Sequence, residues 1–274
     1  MRKRSAQTTE DVADKDSGDR QFVTALHRGL ELLRAYRPSD KVGLGNRELA
    51  ARTGLPNSTV SRLTYTLMKL GYLVYDDDTG RYRMGVPVLG LGYACLGGLK
   101  VRETAQPLMQ RLADESGDGV LVALGGRDDL AMTYIACARA ARSMISLQLN
   151  VGSRISLKRS AMGRAYIAGA PETERAQVME RIEEATPPED WPRIRDEIAE
   201  AAEQIRARGF YASIGRWQAD VNAVSVPYRS PQGDAPMLAF NLGGPAYILQ
   251  RERLEQELGP RLLEMVAAVK RTGA

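Results

Sequence analysis

The stretch Arg47-Glu48-Leu49-Ala50-Ala51-Arg52-Thr53-Gly54-Leu55-Pro56-Asn57-Ser58-Thr59-Val60-Ser61-Arg62, continued by Leu63 to Leu70, decides how the front of this chain folds. It reads as a short helix, a tight turn and a longer helix. Gly54 ends the first helix, because glycine enters the left-handed region without steric cost. Pro56 cannot continue that helix, and Asn57 is expected to cap the next. From there Val60, Leu63, Leu67 and Leu70 repeat at helical spacing as one apolar stripe. Ser58, Thr59, Ser61, Arg62 and Tyr65 fall on the opposite face. Those residue types donate hydrogen bonds to phosphates and base edges in a major groove. An amphipathic helix with a polar first turn behind a glycine turn is the helix-turn-helix pattern. A helix-glycine-helix corner with a merely solvated face reads the same locally, so the flanking sequence decides.

Before the motif, Val23, Leu26, Leu30 and Leu33 predict a helix over Phe22 to Tyr36, ended by Pro38. His27, the only histidine, lies in it beside the stripe and is read as structural. After the motif, Gly71 to Tyr75 and Arg81 to Met84 predict two strands joined by the turn Asp76-Asp77-Asp78-Thr79-Gly80. Helix, helix-turn-helix and hairpin in that order make a winged helix-turn-helix. Its wing supplies Arg81 and Arg83 as phosphate contacts, alongside Arg47, and the aspartates at the tip would be repelled. Residues 20–83 hold 11 Lys/Arg against 6 Asp/Glu, whereas residues 84–274 hold 23 of each. The positive excess sits where a phosphate-binding surface needs it.

At 274 residues the chain suits about two domains. We expect a polar, charged, disordered tail over 1–19, the DNA-binding domain over 20–84 and a linker over 85–101. In the linker Val86, Leu89, Tyr93 and Leu96 form a stripe beside Gly90, Ala94 and Gly97, small residues that let two backbones approach. A helix pairing with a second subunit fits, and an ordinary core helix reads much the same. Over 102–274 a helix from Glu103 to Glu115 is followed by buried strands at Val120 to Leu124 and Met132 to Ala136, joined by a turn at Gly125 to Asp129. A strand is expected at Ser143 to Leu149, and helices at Ser160 to Ala168, Glu172 to Glu184 and Trp191 to Arg208. Strands return at Phe210 to Ser213, Ala223 to Tyr228 and Met237 to Leu242, and Ile248 to Arg271 closes the chain as a helix. Strands at both ends with helices between predict an α+β domain, one antiparallel sheet flanked by helices.

Two cysteines, Cys95 and Cys137, argue against a disulfide framework and for a reducing cytoplasm. The N-terminus carries no signal-peptide pattern, and the most apolar run, Val86 to Leu99, is too short and glycine-rich to span a bilayer. Gly-x-Ser-x-Gly, His-Glu-x-x-His, P-loop and paired-cysteine motifs are missing, so no catalytic residue, metal or cofactor is expected. The alternative class is an enzyme with an accessory DNA-binding module, which would have to work with carboxylates alone.

Taken together, the chain from Arg20 to Arg271 resembles the IclR family of bacterial transcription regulators. The resemblance rests on Arg28-Gly29-Leu30-Glu31-Leu32-Leu33, Glu48 to Pro56, Gly80-Arg81-Tyr82-Arg83-Met84-Gly85, Val151-Gly152-Ser153, Ser160-Ala161-Met162-Gly163-Arg164-Ala165, Gly209-Phe210 and Asn241-Leu242-Gly243-Gly244-Pro245. It implies a winged helix-turn-helix joined by a linker helix to a GAF-like effector domain. It also implies dimers or dimers of dimers, double-stranded operator DNA as partner, and no catalysis. It places a small organic acid in the second domain. Ser160 can cap the helix beginning at Ala161, and free N–H groups of a first turn make an anion site. The positions matching the family's remaining contacts are Met162, Ser213, Ala223, Asn241 and Gly243. Ala223, Gly243 and the bulky Met162 depart from the more polar pattern of relatives that bind oxo-acids. They imply an effector less polar than glyoxylate or pyruvate, aromatic or longer-chained. Trp217 either lines the pocket mouth or packs against a helix, and packing is the plainer reading.

Overall fold

Leu32, Leu49, Leu55, Val60 and Leu73 come from successive elements of the front of the chain and meet in one buried cluster with Leu44. In the computed structural model, which describes residues 21–140, 149–233 and 236–272, two compact units divide at Cys95 and Leu96. The first unit holds α1 (Thr24–Arg34), α2 (Asn46–Thr53), α3 (Asn57–Lys69) and the hairpin β1 (Leu73–Asp76) and β2 (Arg81–Met84). The hairpin pairs Leu73 with Met84 through to Asp76 with Arg81, and Leu44 bridges to Tyr82 on its free edge. The elements are therefore those of a winged helix-turn-helix, in the expected order.

Two details differ from expectation. Asn57 is the first helical residue of α3, and Pro56, extended at ψ 142°, occupies the cap position with no side-chain cap bond. Proline has no N–H to leave unsatisfied, so it suits a helix entrance. The apolar stripe of α3 stops short. Val60 is buried, Leu63 and Leu67 are half-buried, but Leu70 is exposed at the helix end. Thr64 takes the buried place between them, its hydroxyl donating to the Val60 carbonyl at 3.0 Å.

α4 (Val86–Gly97) buries none of its residues, and Val86, Leu89, Leu91 and Tyr93 are all more than half exposed. The division between units falls within it.

The second unit is built on a six-stranded sheet in the order β5-β4-β3-β8-β7-β6, antiparallel at every pairing. Its strands are β3 (Leu121–Asp128), β4 (Ala131–Arg139), β5 (Arg154–Ser156), β6 (Tyr211–Ile214), β7 (Val221–Tyr228) and β8 (Leu238–Pro245). Strand alternation sends Val122, Leu124, Val224, Val226, Phe240 and Leu242 to one face. There they pack on α5 (Lys100–Ser116) and the C-terminal helices. Those are α9 (Arg251–Arg253), a π-helical turn Leu254–Leu258 and α10 (Gly259–Arg271). Leu121, Ala123 and Ala239 point to the other face, under α6 (Ala161–Gly169), α7 (Glu172–Glu184) and α8 (Trp191–Arg208). The expected α+β architecture is what forms.

The predicted turn at Gly125 to Asp129 is instead strand as far as Asp128, and the chain reverses at Asp129 with φ 54°. Gly125 and Gly126 stay extended because β4 and β8 pair both their edges. Leu124 pairs with Ala136 but Gly125 with Tyr134, so Ile135 is the extra residue of a bulge. The bulge shifts β4 by one position, and Tyr134 therefore faces the α6 side while Ala136 and Ala138 face α5. β5 was not foreseen, and most of the predicted strand Ser143 to Leu149, like the predicted tail, lies outside the described residues.

Candidate nucleic-acid interface and ligand recess

α2 is entered through its N-cap Gly45, whose N–H donates to the Glu48 carboxylate at 2.9 Å; that bond, with Arg81 nearby, holds the Glu48 carboxyl below its ordinary pKa. It ends at Gly54, left-handed at φ 74°, whose N–H closes on the Ala50 carbonyl. Asn46, the first residue of α2, ties the two helices together. Its Nδ2 donates to Ser61 Oγ at 3.2 Å, and its Oδ1 lies 3.3 Å from Thr64 Oγ1, where it shares the hydroxyl proton with the nearer Val60 carbonyl. Nothing in the periodicity singled out Asn46, since its partners lie 15 and 18 residues on. Between these anchors Ser58, Ser61, Arg62 and Tyr65 project outward, Thr59 is half-buried, and Lys69 Nζ lies 5.4 Å from the Tyr65 ring centre. Arg47 and Arg62 are exposed, with no carboxylate paired to either among the described residues.

The wing arginines are unequal. Arg81 Nη1 donates to the Gly43 carbonyl at 2.7 Å and Nη2 pairs with Glu48 at 3.0 Å. It struts the wing against the entrance of α2, which sequence alone did not reveal. Arg83 is exposed and lies 3.5 Å from Asp76. A second strut is the two-pronged pair of Arg52 with Asp40, at 2.5 and 2.9 Å, which holds the Asp40 carboxyl at about 2.

In the second unit Ser160 is the N-cap of α6, its Oγ accepting from Gly163 N at 3.0 Å. Arg164 N reaches Ser160 O, so the N–H groups of Ala161 and Met162 remain unspent. Facing this turn is a narrow recess, open in part to solvent, whose cavity volume is about 20 Å³. Ser160, Ala161, Ser213, Ala223, Asn241 and Gly243, all anticipated from sequence, line it. Sheet register explains their meeting: Ala223 pairs with Ser213 on one side and Gly243 on the other, and Asn241 pairs with Ser225.

Met162 does not line it. A Cβ on Gly125 would fall 2.4 Å from Met162 Sδ, so that side chain fills the space left by the missing one on β3. Asn241 is partly committed within the sheet. Its Oδ1 accepts from Ser225 Oγ at 2.6 Å, which leaves the Nδ2 group as the donor for a guest. Tyr134, Leu149, Ile155, Trp217 and Val221 complete the walls, so Trp217 does reach the pocket. Tyr134 is 98% buried (2% exposed), yet its hydroxyl has no hydrogen-bond partner among the described residues, and burial raises its pKa. Ser213 Oγ and Asn241 Nδ2 are likewise open among the described residues. No charged side chain lines the recess among the described residues. The start of α6 is its anion-attracting feature among the described residues.

Residues 93–271 match the family model for the C-terminal part of the bacterial transcriptional regulator IclR, and residues 25–77 match the IclR helix-turn-helix domain. This chain belongs to the IclR family. IclR-family proteins are DNA-binding regulators, not enzymes. The chain is similar to the HTH-type transcriptional regulator TsaQ1/TsaQ2 of Comamonas testosteroni, 31% identical over 91% of this chain and 88% of the relative. It is similar in structure to an IclR-family regulator from Brucella abortus, at TM-score 0.84 and 44% identity over 94% of this chain and 96% of that one. An IclR homologue from Microbacterium hydrocarbonoxydans, solved in complex with 4-hydroxybenzoate, shares the fold at TM-score 0.67 and 22% identity, over 90% and 98% of the two chains.

Proposed function

We propose that this IclR-family regulator binds operator DNA through α3 and the wing, and that a small organic acid seated in the recess sets its operator affinity. Ser58, Ser61, Arg62 and Tyr65 read the major groove, with Thr59 and Asn57 at its rim; Arg47 and Arg83 take phosphates, and Arg81 braces the wing. The observation that carries the effector half is the buried, uncharged recess at the start of α6. Tyr134, Ser213 and Asn241 each bring it an unpaired hydrogen-bonding group. A guest that pairs with these groups gains hydrogen bonds in a largely apolar setting. A carboxylate is drawn to the free N–H of Ala161 at the start of α6, and the walls call for an apolar body.

The linker over 85–101, with its uncovered apolar helix, is the proposed pairing surface for a second copy of the chain in a dimer or dimer of dimers. Two recognition helices about one DNA turn apart are what useful specificity requires. The domain limits 20–84 and 102–274 and a cytoplasmic setting belong to the same reading. The test is a gel shift with DNA upstream of the protein's own gene, combined with a thermal-shift screen of aromatic and aliphatic carboxylic acids. We expect a specific shifted band, at least one acid that raises the melting temperature, and a change in the band with that acid. A protein that shifts no DNA, or that no acid stabilises, would overturn the corresponding half.

A further inference from the structure

Arg164 is fully buried on α6, three residues into the helix whose start lines the recess. Its guanidinium donates to Lys158 O at 3.1 Å, to Tyr211 Oη at 2.8 Å and to the Glu197 carboxylate. Glu197, itself nearly buried on α8, turns its other oxygen to Arg193 at 3.2 Å and to Arg216 at 3.1 Å. Arg216 also reaches Glu200 at 3.6 Å. Arg216 belongs to the short connection from β6 to β7, and the next residue along it is Trp217, which forms part of the recess wall. The connection is pinned at both ends, by Gly215 N on Asn222 Oδ1 at 2.9 Å and by Ala246 N on Asp220 O at 2.8 Å. Between those pins, the side chains recorded holding it are the ion pairs of Arg216 and the packing of Trp217.

Resting on the effector reading above, we infer that Trp217 is the specificity-determining residue of the recess and Glu197 its positioning residue, acting through Arg216. One carboxylate serves as hub for three guanidinium groups. One comes from the buried helix at the ligand's anion site and another from the strand connection that carries the indole. A flexible connection would let the indole yield to guests of any size. Fixed to the hub, it presents a rigid flat wall to a recess it lines together with Tyr134, Ile155 and Val221. In so narrow a recess the position of the indole then sets how wide an apolar body a bound carboxylate can carry, and a second fused ring is disfavoured. Rejection by such a wall is a matter of volume, worth roughly tenfold to a hundredfold in affinity. The three open hydrogen-bonding groups add a preference for a ring with a polar substituent over a bare one.

The experiment uses the full chain and four probes: benzoate, 4-hydroxybenzoate, 2-naphthoate and hexanoate, each titrated by calorimetry. Wild type is expected to bind a one-ring acid at least tenfold more tightly than 2-naphthoate. Trp217→Ala should erase or reverse that ratio, and Trp217→Phe should keep most of it. Arg216→Gln, which leaves Glu197 paired with Arg164 and Arg193, should reduce the ratio with little change in melting temperature. A ratio unchanged in Trp217→Ala, or all four acids weakened alike, overturns the assignment of Trp217. A ratio unchanged in Arg216→Gln overturns the role of Glu197. Wild type that binds no acid overturns the effector reading itself, and with it this inference.

Discussion

Ser225 Oγ donates to Asn241 Oδ1 at 2.6 Å across the β7–β8 ladder, and both residues are buried. The bond fixes the amide orientation and points the question of recognition at a single donor, Nδ2. Asn241→Leu removes that donor and also strands the Ser225 hydroxyl, at a cost of about 1–3 kcal/mol. We expect the melting temperature to fall, operator binding by the free protein to persist, and the acid response to vanish. A variant that still answers to acid at the wild-type concentration places the contact elsewhere.

Gly125 and Met162 are complementary in volume. Gly125→Ala forces the Met162 thioether out of its place, an overpacking that costs about 1–3 kcal/mol. The double variant Gly125→Ala with Met162→Ala should recover part of that loss. Denaturant melts of the three proteins read the coupling, and strict additivity would disprove the pairing.

Arg62 and Arg81 separate recognition from architecture. Arg62→Ala should weaken specific operator binding by about 1–3 kcal/mol without moving the melting temperature. Arg81→Ala should loosen the wing, because it releases the Gly43 carbonyl and Glu48. The two variants are compared in salt-controlled titrations beside thermal melts. Equal affinity of Arg62→Ala and wild type would remove Arg62 from the interface.

Acid should weaken the DNA-binding unit through Asp40. Its carboxyl sits at about 2, below the ordinary 3.8, because Arg52 donates two hydrogen bonds to it. A depressed folded value means the stabilisation is complete above about pH 4 and is lost as pH falls toward 2. Asp40→Asn should flatten that part of the stability–pH curve. An unchanged acid limb in the variant would show that Asp40 contributes nothing to it.

Much of this was determined by local sequence. Gly54, Pro56 and the spacing of Val60, Leu63 and Leu67 are enough to write helix, turn and helix, because each acts over one or two turns of chain. Ser160 declares its cap by the same short-range chemistry. The resemblance carried Ser213, Ala223, Asn241 and Gly243, and the strand register of β6, β7 and β8 supplies the physical reason they converge.

What only the tertiary structure decided involves partners distant in sequence. Tyr134 enters the recess because a bulge at Ile135 turns β4 over, and an alternating pattern cannot announce the residue at which it slips. Met162 leaves the recess because Gly125, 37 positions earlier, lacks a side chain. Arg81 becomes a strut and Glu197 a hub only when carbonyls and guanidinium groups from other elements are brought within 3 Å or so. Whether a polar group is free for a ligand or spent on its neighbours depends on such long-range pairings, and periodicity does not encode them.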